Sequence, residues 1–502
     1  MTIQRPSLDR LHELARENHF TIGADEEKSY VALFDRILMQ YDQLEDALAN
    51  LESVAASRRD AGDRPSSEDN FCNAFVRKLS IKGAAEGPLA GKRVAIKDNI
   101  SLAGVPMTCG SAVIAFTPTQ DATIVTRMLD AGAEIVGIVN MDNLAFSGAG
   151  DTSAHGPTRN PHDESRLAGG SSGGSAAALF SGEVDVTIGG DQAGSIRIPA
   201  SWCGVVGLKP TYGLVPYRGI LGYDLTFDHT GPMARRACDV AATLAVIAGK
   251  DAEDPRQRDV PMPRTFGPVT LENLRGIRIG ILTEAFGTAG HEPDVDQAVR
   301  RAAKDLTKLD ATVRDVSFPD HLKAGPIVWG LFAEGVTATF QGNGQGYHWD
   351  GAYNPVLADA FGRGIQQNGN AMPLQAKFNL MLGTYMRQTY HGKFYAHAQN
   401  LRRELRAGYD RLLQSVDVLL MPTTPMKAHK YNPNQTPEEL VLAGWNMVAN
   451  TAPFNMTGHP AVSVPCSNVA SLPVGMMLVG RKFEDQKLLA VADAYQRAFD
   501  RK

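Results

Sequence analysis

Gly169-Gly170-Ser171-Ser172-Gly173-Gly174-Ser175 and, a little downstream, Gly189-Gly190-Asp191-Gln192-Ala193-Gly194-Ser195-Ile196-Arg197-Ile198-Pro199-Ala200 place two serines, Ser171 and Ser195, in glycine-dense surroundings. A lone lysine, Lys97, stands upstream at the end of the apolar run Arg93-Val94-Ala95-Ile96. Two serines and a lysine are a complete set of parts for acyl transfer. A serine hydroxyl is a weak nucleophile until a base takes its proton. A buried lysine can be that base, because desolvation lowers its pKa and leaves it neutral. The second serine can pass the proton between them. Glycines let backbone N–H groups crowd one point, as an oxyanion requires.

Outward from these loops the chain reads as α/β. Val94-Ala95-Ile96 is a short strand. Asp121 is expected to cap a helix through Ile124, Val125, Met128 and Leu129, stopped by Gly132, and Ile135-Val136-Gly137-Ile138-Val139 follows as a strand. That is a βαβ order. Further strands are expected at 184–188, 277–281, 418–421, 461–464 and 476–479, with helices near 295–306 and 401–413. Strands at both ends of so long a span favour one large sheet over separate domains. Residues 7–56 read as helix, with Phe34, Ile37, Leu38, Tyr41, Leu44 and Leu48 at helical spacing. The polar, breaker-rich stretch from Ser57 to Ser67 reads as a linker. We therefore divide the chain into an N-terminal helical extension, 1–65, and a catalytic domain, 66–502. The extension either packs on the main body or forms a dimer contact.

Phosphate-binding readings of the glycine loops fail on detail. A P-loop ends in Gly-Lys-Ser/Thr, whereas Gly174 precedes Ser175 and Ala176. The glycine spacing does not fit a dinucleotide loop. Gly170-Ser171-Ser172-Gly173-Gly174 satisfies the G-x-S-x-G pattern of a nucleophile elbow, but that motif must follow a strand. Asn160-Pro161-His162-Asp163-Glu164-Ser165-Arg166 is too polar to be a central strand. No S-x-x-K occurs in the chain. One Gly-Ser loop could be mere backbone packing; two, the second running into Ile196-Arg197-Ile198-Pro199-Ala200, argue for a site.

With Ala95-Ile96-Lys97-Asp98, the two serine loops, Gly204-Val205-Val206-Gly207-Leu208-Lys209-Pro210-Thr211, Asp228-His229-Thr230-Gly231-Pro232, Asp417-Val418-Leu419-Leu420-Met421-Pro422-Thr423 and Pro473-Val474-Gly475-Met476-Met477, the chain resembles the amidase signature family over about residues 85–480. Within it, the Gly-Asp-Gln-x-Gly-Ser loop and the helical extension most resemble bacterial amidases that accompany nitrile hydratase. The resemblance implies a large mixed sheet flanked by helices and hydrolysis of small aliphatic or aromatic amides, with carbamates or hydrazides as variations. It implies Ser195 as nucleophile, Ser171 as bridging serine, Lys97 as base, and an oxyanion hole of the backbone N–H groups of Gln192, Ala193, Gly194 and Ser195. It also implies a cis peptide at Gly170–Ser171, pocket positions at Phe146 and Trp329, and no metal or organic cofactor. Ala193 departs from the glycine usual there; its methyl is expected to narrow the acyl pocket or restrict the backbone. Asp191, Arg197 and Lys209 read as structural, and Asp228-His229 is not expected to work as a triad pair beside Lys97. The alternative function is a glutaminase-type subunit of a tRNA-dependent amidotransferase.

Composition bounds the rest. The 502 residues are 43% hydrophobic, ample for a large core. The 50 basic and 55 acidic residues are well mixed, so no basic stripe argues for nucleic acid. No apolar run approaches the roughly 20 residues that span a bilayer, and no signal peptide is read at the N-terminus. Five scattered cysteines without C-x-x-C suggest neither disulfides nor zinc, but small buried groups in a reducing cytoplasm. The expected partner is a small-molecule amide, and the expected assembly a homodimer.

Overall fold

The computed structural model describes residues 3–49, 59–257, 261–262 and 266–499. Its strands are β1 (Phe75–Lys82), β2 (Arg93–Lys97), β3 (Glu134–Val139), β4 (Arg159–Asn160), β5 (Asp163–Leu167), β6 (Val186–Asp191), β7 (Val206–Lys209), β8 (His229–Ala234), β9 (Arg278–Leu282), β10 (Thr312–Val316), β11 (Val418–Pro422), β12 (Ala461–Val469) and β13 (Leu472–Gly480). Eleven of them form one sheet in the order β1-β3-β2-β6-β8-β7-β12-β13-β11-β9-β10. β2 runs parallel to β3 and β6, and β9 parallel to β10 and β11. The pairs in between are antiparallel, so the sheet is mixed.

Alternation explains why so many strands read as unbroken apolar runs. In β11, Val418 and Leu420 enter one core while Leu419 and Met421 enter another. In β13, Met476 and Leu478 divide from Met477 and Val479 in the same way. Successive side chains point to opposite faces, and both faces are covered. The helix Pro293–Thr307 lays Val295, Val299 and Leu306 on the first core. The helices Ala324–Leu331 and Lys393–Ser415 lay Ile327, Leu331, Leu405 and Tyr409 on the second.

The expected strands are present with shifted ends: the one read at 184–188 runs Val186–Asp191, carrying the strand into the second serine loop. The helix after β2 spans Thr123–Asp130, but Asp121 does not cap it. Ala122 is the N-cap, without a side-chain bond. The Asp121 carboxylate instead accepts from Arg59 at 2.5 Å and from the Ala103 N–H at 2.8 Å. The polar segment before Ser171 forms β4 and β5, a separate two-stranded hairpin outside the large sheet.

By internal contacts the chain divides into two units, Met1–Ser57 and Arg58–Lys502. The first holds two helices, Leu8–Glu17 and Glu27–Ala49. Ser7 caps the first by accepting from the Arg10 N–H, and His19, at φ 63°, takes the backbone out of helix after Asn18. The helix expected over 50–56, and Ser57 and Arg58 of the expected linker, lie outside the described residues. Of that linker, Asp63 pairs with Lys78 of β1 and Gly62 accepts from Arg77, which ties this part of it to the large unit. Cys109 and Cys203 are buried, Cys72 and Cys466 partly so, while Cys238 is exposed, against the expectation that all five would be buried. Among the described residues no helix is long and apolar enough to cross a membrane, and no group of three His, Cys, Asp or Glu side chains could hold a metal ion.

Candidate active site

β2 and β6 are parallel neighbours, with Ala95 opposite Thr187 and Ile96 opposite Ile188. Their carboxyl ends therefore lie side by side, where open α/β sheets bind ligands. The end of β2 delivers Lys97, and the end of β6 delivers Asp191 and the loop to Ser195. The first serine loop reaches the same point. Gly170–Ser171 is a cis peptide, and the helix Gly173–Ala178 starts directly after it.

The Lys97 side chain is fully buried. Its Nζ donates to Ser171 Oγ at 2.7 Å and to Ser172 Oγ at 2.9 Å. Burial brings the amine down to about 7, against an opposing pull from Asp142 and Asp191. Ser172 was not singled out in the sequence as a partner of the lysine. Its hydroxyl also donates to the Gly190 carbonyl at 3.1 Å, so it braces the lysine against β6. The Ser172 N–H donates to the Ser195 carbonyl at 3.2 Å, which joins the two serine loops through their backbones. Ser195 is 7% exposed and lines a cavity. Among the described residues no hydrogen bond joins the Ser171 and Ser195 hydroxyls, and the backbone N–H groups of Ala193, Gly194 and Ser195 donate to no protein group.

The second loop is held by a buried ion pair. Arg197 Nε and Nη2 reach the two Asp191 oxygens at 2.9 and 3.0 Å, and both side chains are shielded from solvent. Arg197 also donates to Asn455 Oδ1 at 2.6 Å and to the Thr451 carbonyl at 2.9 Å. Asn455 Nδ2 returns to Asp191 Oδ1 at 2.9 Å. Burial would raise the Asp191 carboxyl, but the Arg197 charge and its hydrogen bonds win and hold it far below the usual range. Asp191 and Arg197 thus clamp the turn on which Ser195 sits. Gly194 has φ 141°, and a Cβ there would stand 2.4 Å from Thr451 Oγ1, so the position demands glycine. Ala193 has no positive φ, so its methyl costs the backbone nothing; it lines the cavity beside Ser195.

Two small cavities, of about 20 and 10 Å³, share Ala145, Gln192 and Tyr223 in their walls. The first adds Ala193, Ser195, Ile198, Phe332, Trp445 and Val448. The second adds Asn99, Met141, Leu144 and Phe340. Phe146 and Trp329 line neither and stand one layer behind. Phe146 is wholly buried and backs Tyr223 and Phe340 at ring separations of 4.9 and 5.5 Å. Trp329 is 38% exposed and packs on Trp445 at 5.2 Å. The walls come from segments far apart in sequence, which is why pairing by motif missed Tyr223, Phe332 and Trp445.

Asp228 and His229 make no triad pair. The Asp228 carboxylate accepts from the Tyr223 and Asp224 N–H groups, and His229 Nδ1 meets the Phe227 carbonyl. Lys209 is buried with its Nζ on the Pro210 carbonyl at 2.9 Å. Asp98 accepts from the N–H groups of Thr108 and Gly110 and fixes the turn that follows β2.

The amidase family model matches residues 71–489. An enantioselective amidase of Rhodococcus rhodochrous is 42% identical over 440 residues, covering 86% of this chain and 84% of that protein. A glutamyl-tRNA(Gln) amidotransferase subunit of Halobacterium salinarum is 39% identical, covering 85% of this chain and 99% of that one. The crystal structure of the corresponding subunit from Thermotoga maritima superposes with a TM-score of 0.70 at 32% identity, covering 86% and 88% of the two chains. A family match over most of the chain, and a sheet with helices on both faces shared with these proteins, make this chain a member of the amidase signature family and a hydrolase of C–N bonds.

Proposed function

We propose that the chain hydrolyses small aliphatic or aromatic amides to a carboxylate and ammonia or an amine, with Ser195 as nucleophile, Ser171 as bridging serine and Lys97 as base. The observation that carries this is the buried Lys97 amine 2.7 Å from Ser171 Oγ, held near neutrality by burial. Ser195 Oγ bonds to the amide carbon while its proton passes to Ser171, and the Ser171 proton passes to Lys97. The C–N bond then breaks and the departing nitrogen takes the proton back. Water attacks the acyl-enzyme by the same relay and frees the acid. The N–H groups of Gln192, Ala193, Gly194 and Ser195 are the oxyanion hole. The absence of protein acceptors for the last three supports that role, and one such donor is worth about 3–4 kcal/mol in the transition state. Carbamates and hydrazides suit the same relay, and no metal or organic cofactor enters it.

The second reading, a glutaminase-type amidotransferase component, has the similarity to the Halobacterium protein in its favour. The walls weigh against it. Glutamine carries an ammonium and a carboxylate, and none of the residues lining the two cavities is an acid, a lysine or an arginine. A stand-alone homodimer in the cytoplasm, with five free thiols, completes the reading. Ammonia release from benzamide, propionamide and glutamine, by the purified chain beside Ser195→Ala, tests it. Turnover of the simple amides that vanishes in the variant is expected. Turnover of glutamine alone, or none without a partner protein, would favour the second reading.

A further inference from the structure

Asn99, Gln192 and Tyr223 line the second, smaller cavity, and all three are buried, at 2%, 3% and 5% exposure. Each keeps one buried polar atom without a hydrogen-bond partner: Asn99 Oδ1, Gln192 Oε1 and Tyr223 Oη. Asn99 is oriented by its neighbour. Its Nδ2 donates to the Leu221 carbonyl at 2.8 Å. A carbonyl only accepts, so Oδ1 is the atom left over. Gln192 Nε2 lies 3.1 Å from Tyr217 Oη, a hydroxyl that can donate or accept, so one end of the Gln192 amide stays without a partner and can serve either role. The Asn99 and Gln192 amides lie beside Lys97. A Cβ built on Gly190 would stand 3.6 Å from Asn99 Nδ2, 3.6 Å from Gln192 Nε2 and 3.7 Å from Lys97 Nζ. Met141, Leu144, Leu221 and Phe340 make the rest of the wall largely apolar.

Buried acceptors without partners are rare in folded proteins because they forfeit water and gain nothing. The wall of this small cavity thus carries one fixed acceptor, Asn99 Oδ1, with an amide and a phenol that can each answer a donor as well. No carboxylate lines the chamber, so nothing there offsets a full positive charge. Accordingly, we propose that the cavity of Asn99, Gln192 and Tyr223, with room for one small polar group, is a subsite for a neutral hydrogen-bond donor, a hydroxyl or an uncharged N–H, carried by the substrate away from its scissile amide. The inference rests on the amide-hydrolase reading for its substrate and narrows it to hydroxylated or N–H-bearing amides over their purely hydrocarbon isosteres.

The test uses matched pairs in which a hydroxyl replaces a methyl: lactamide and isobutyramide, 3-hydroxypropionamide and butyramide, 4-hydroxybenzamide and 4-methylbenzamide. Affinities are measured by ligand-observed NMR titration of Ser195→Ala, and turnover on the unmodified chain. In at least one pair the hydroxyl member is expected to bind about tenfold to a hundredfold more tightly, the range for leaving a buried polar group unpaired. Asn99→Leu is expected to erase that preference. Tyr223→Phe, which removes only an unpartnered hydroxyl, is expected to reduce it and serves if Asn99→Leu does not fold. Equal binding within every pair would overturn the subsite; should turnover persist, the amide-hydrolase reading would stand. A donor preference in binding with no turnover of any amide would support the subsite and overturn that reading. Failure to bind or turn over any of the six would overturn both.

Discussion

Lys97 can accept a proton only while it is neutral, and burial is what keeps it so. Below about 7 the amine is protonated and cannot relieve Ser171, so kcat/KM for an amide is expected to fall as pH drops through that value. Lys97→Met is expected to lose about 10²–10⁴-fold in rate, the usual worth of a general base, and to lose that acidic limb with it. A pH–rate profile of both proteins checks this. The same residue burdens the fold. Its pKa is depressed on folding from 10.5 to about 7, so between those values the unfolded chain holds the extra proton and stability rises with pH. Lys97→Met removes the burden, and its Tm at neutral pH is expected to match or exceed that of the parent. Ser171→Ala is expected to impair turnover more than Ser172→Ala, because only Ser171 carries the relay in this mechanism; the reverse order would make Ser172 the bridging group. In the nucleophile loop, Ala193→Gly is expected to keep activity and admit bulkier acyl groups. Gly194→Ala is expected to abolish activity, since its Cβ meets Thr451 and its φ disfavours a side chain. Rates across a graded series of acyl amides check the pair.

The turn from Asp191 to Arg197 stands on one ion pair, fully buried and answered by Asn455 and Thr451. Removing one member leaves the other charged and unmatched. Arg197→Met is expected to cost about 3–5 kcal/mol, read as a lower midpoint in urea unfolding. Elements differ in how openly the sequence declares them. β2, β6 and β11 are legible because central strands covered on both faces read as short apolar runs. β8 is not: His229-Thr230-Gly231-Pro232-Met233-Ala234 is a wholly buried strand with a proline inside it, a residue that local preference keeps out of sheet interiors. β10, Thr312–Val316, is a polar edge strand and lacks an apolar run altogether. The meeting of Lys97 with Ser171 was legible because each lies in a compact local motif. The cavity walls were not, because Tyr223, Phe340 and Trp445 meet only in three dimensions. Asp121 shows the same limit on a smaller scale: a good cap by type was taken by Arg59, its distant ion-pair partner.

At the scale of the molecule, the residues that line the two cavities all belong to Arg58–Lys502. The N-terminal unit carries an apolar surface of its own: Leu33, Ile37, Tyr41 and Leu44 of the helix Glu27–Ala49 are each more than half exposed. Apolar surface on this scale is expected to be covered by a second copy. The double variant Ile37→Glu and Tyr41→Glu is expected to sediment as a monomer while turning over amides at the parent's rate per chain, checked by analytical ultracentrifugation beside the ammonia assay. The sheet has one more consequence. Because β2 and β6 are neighbours, Lys97, Ser171 and Ser195, the proposed base, bridging serine and nucleophile, all come from one stretch, whereas Phe332, Phe340 and Trp445 of the walls come from the later half of the chain. The near wall, with Asn99, Met141 and Gln192, is thus inherited together with the reacting groups, and the far aromatic wall apart from them. Descendants can drift in the later part and acquire new diets without touching the neighbourhood of Lys97.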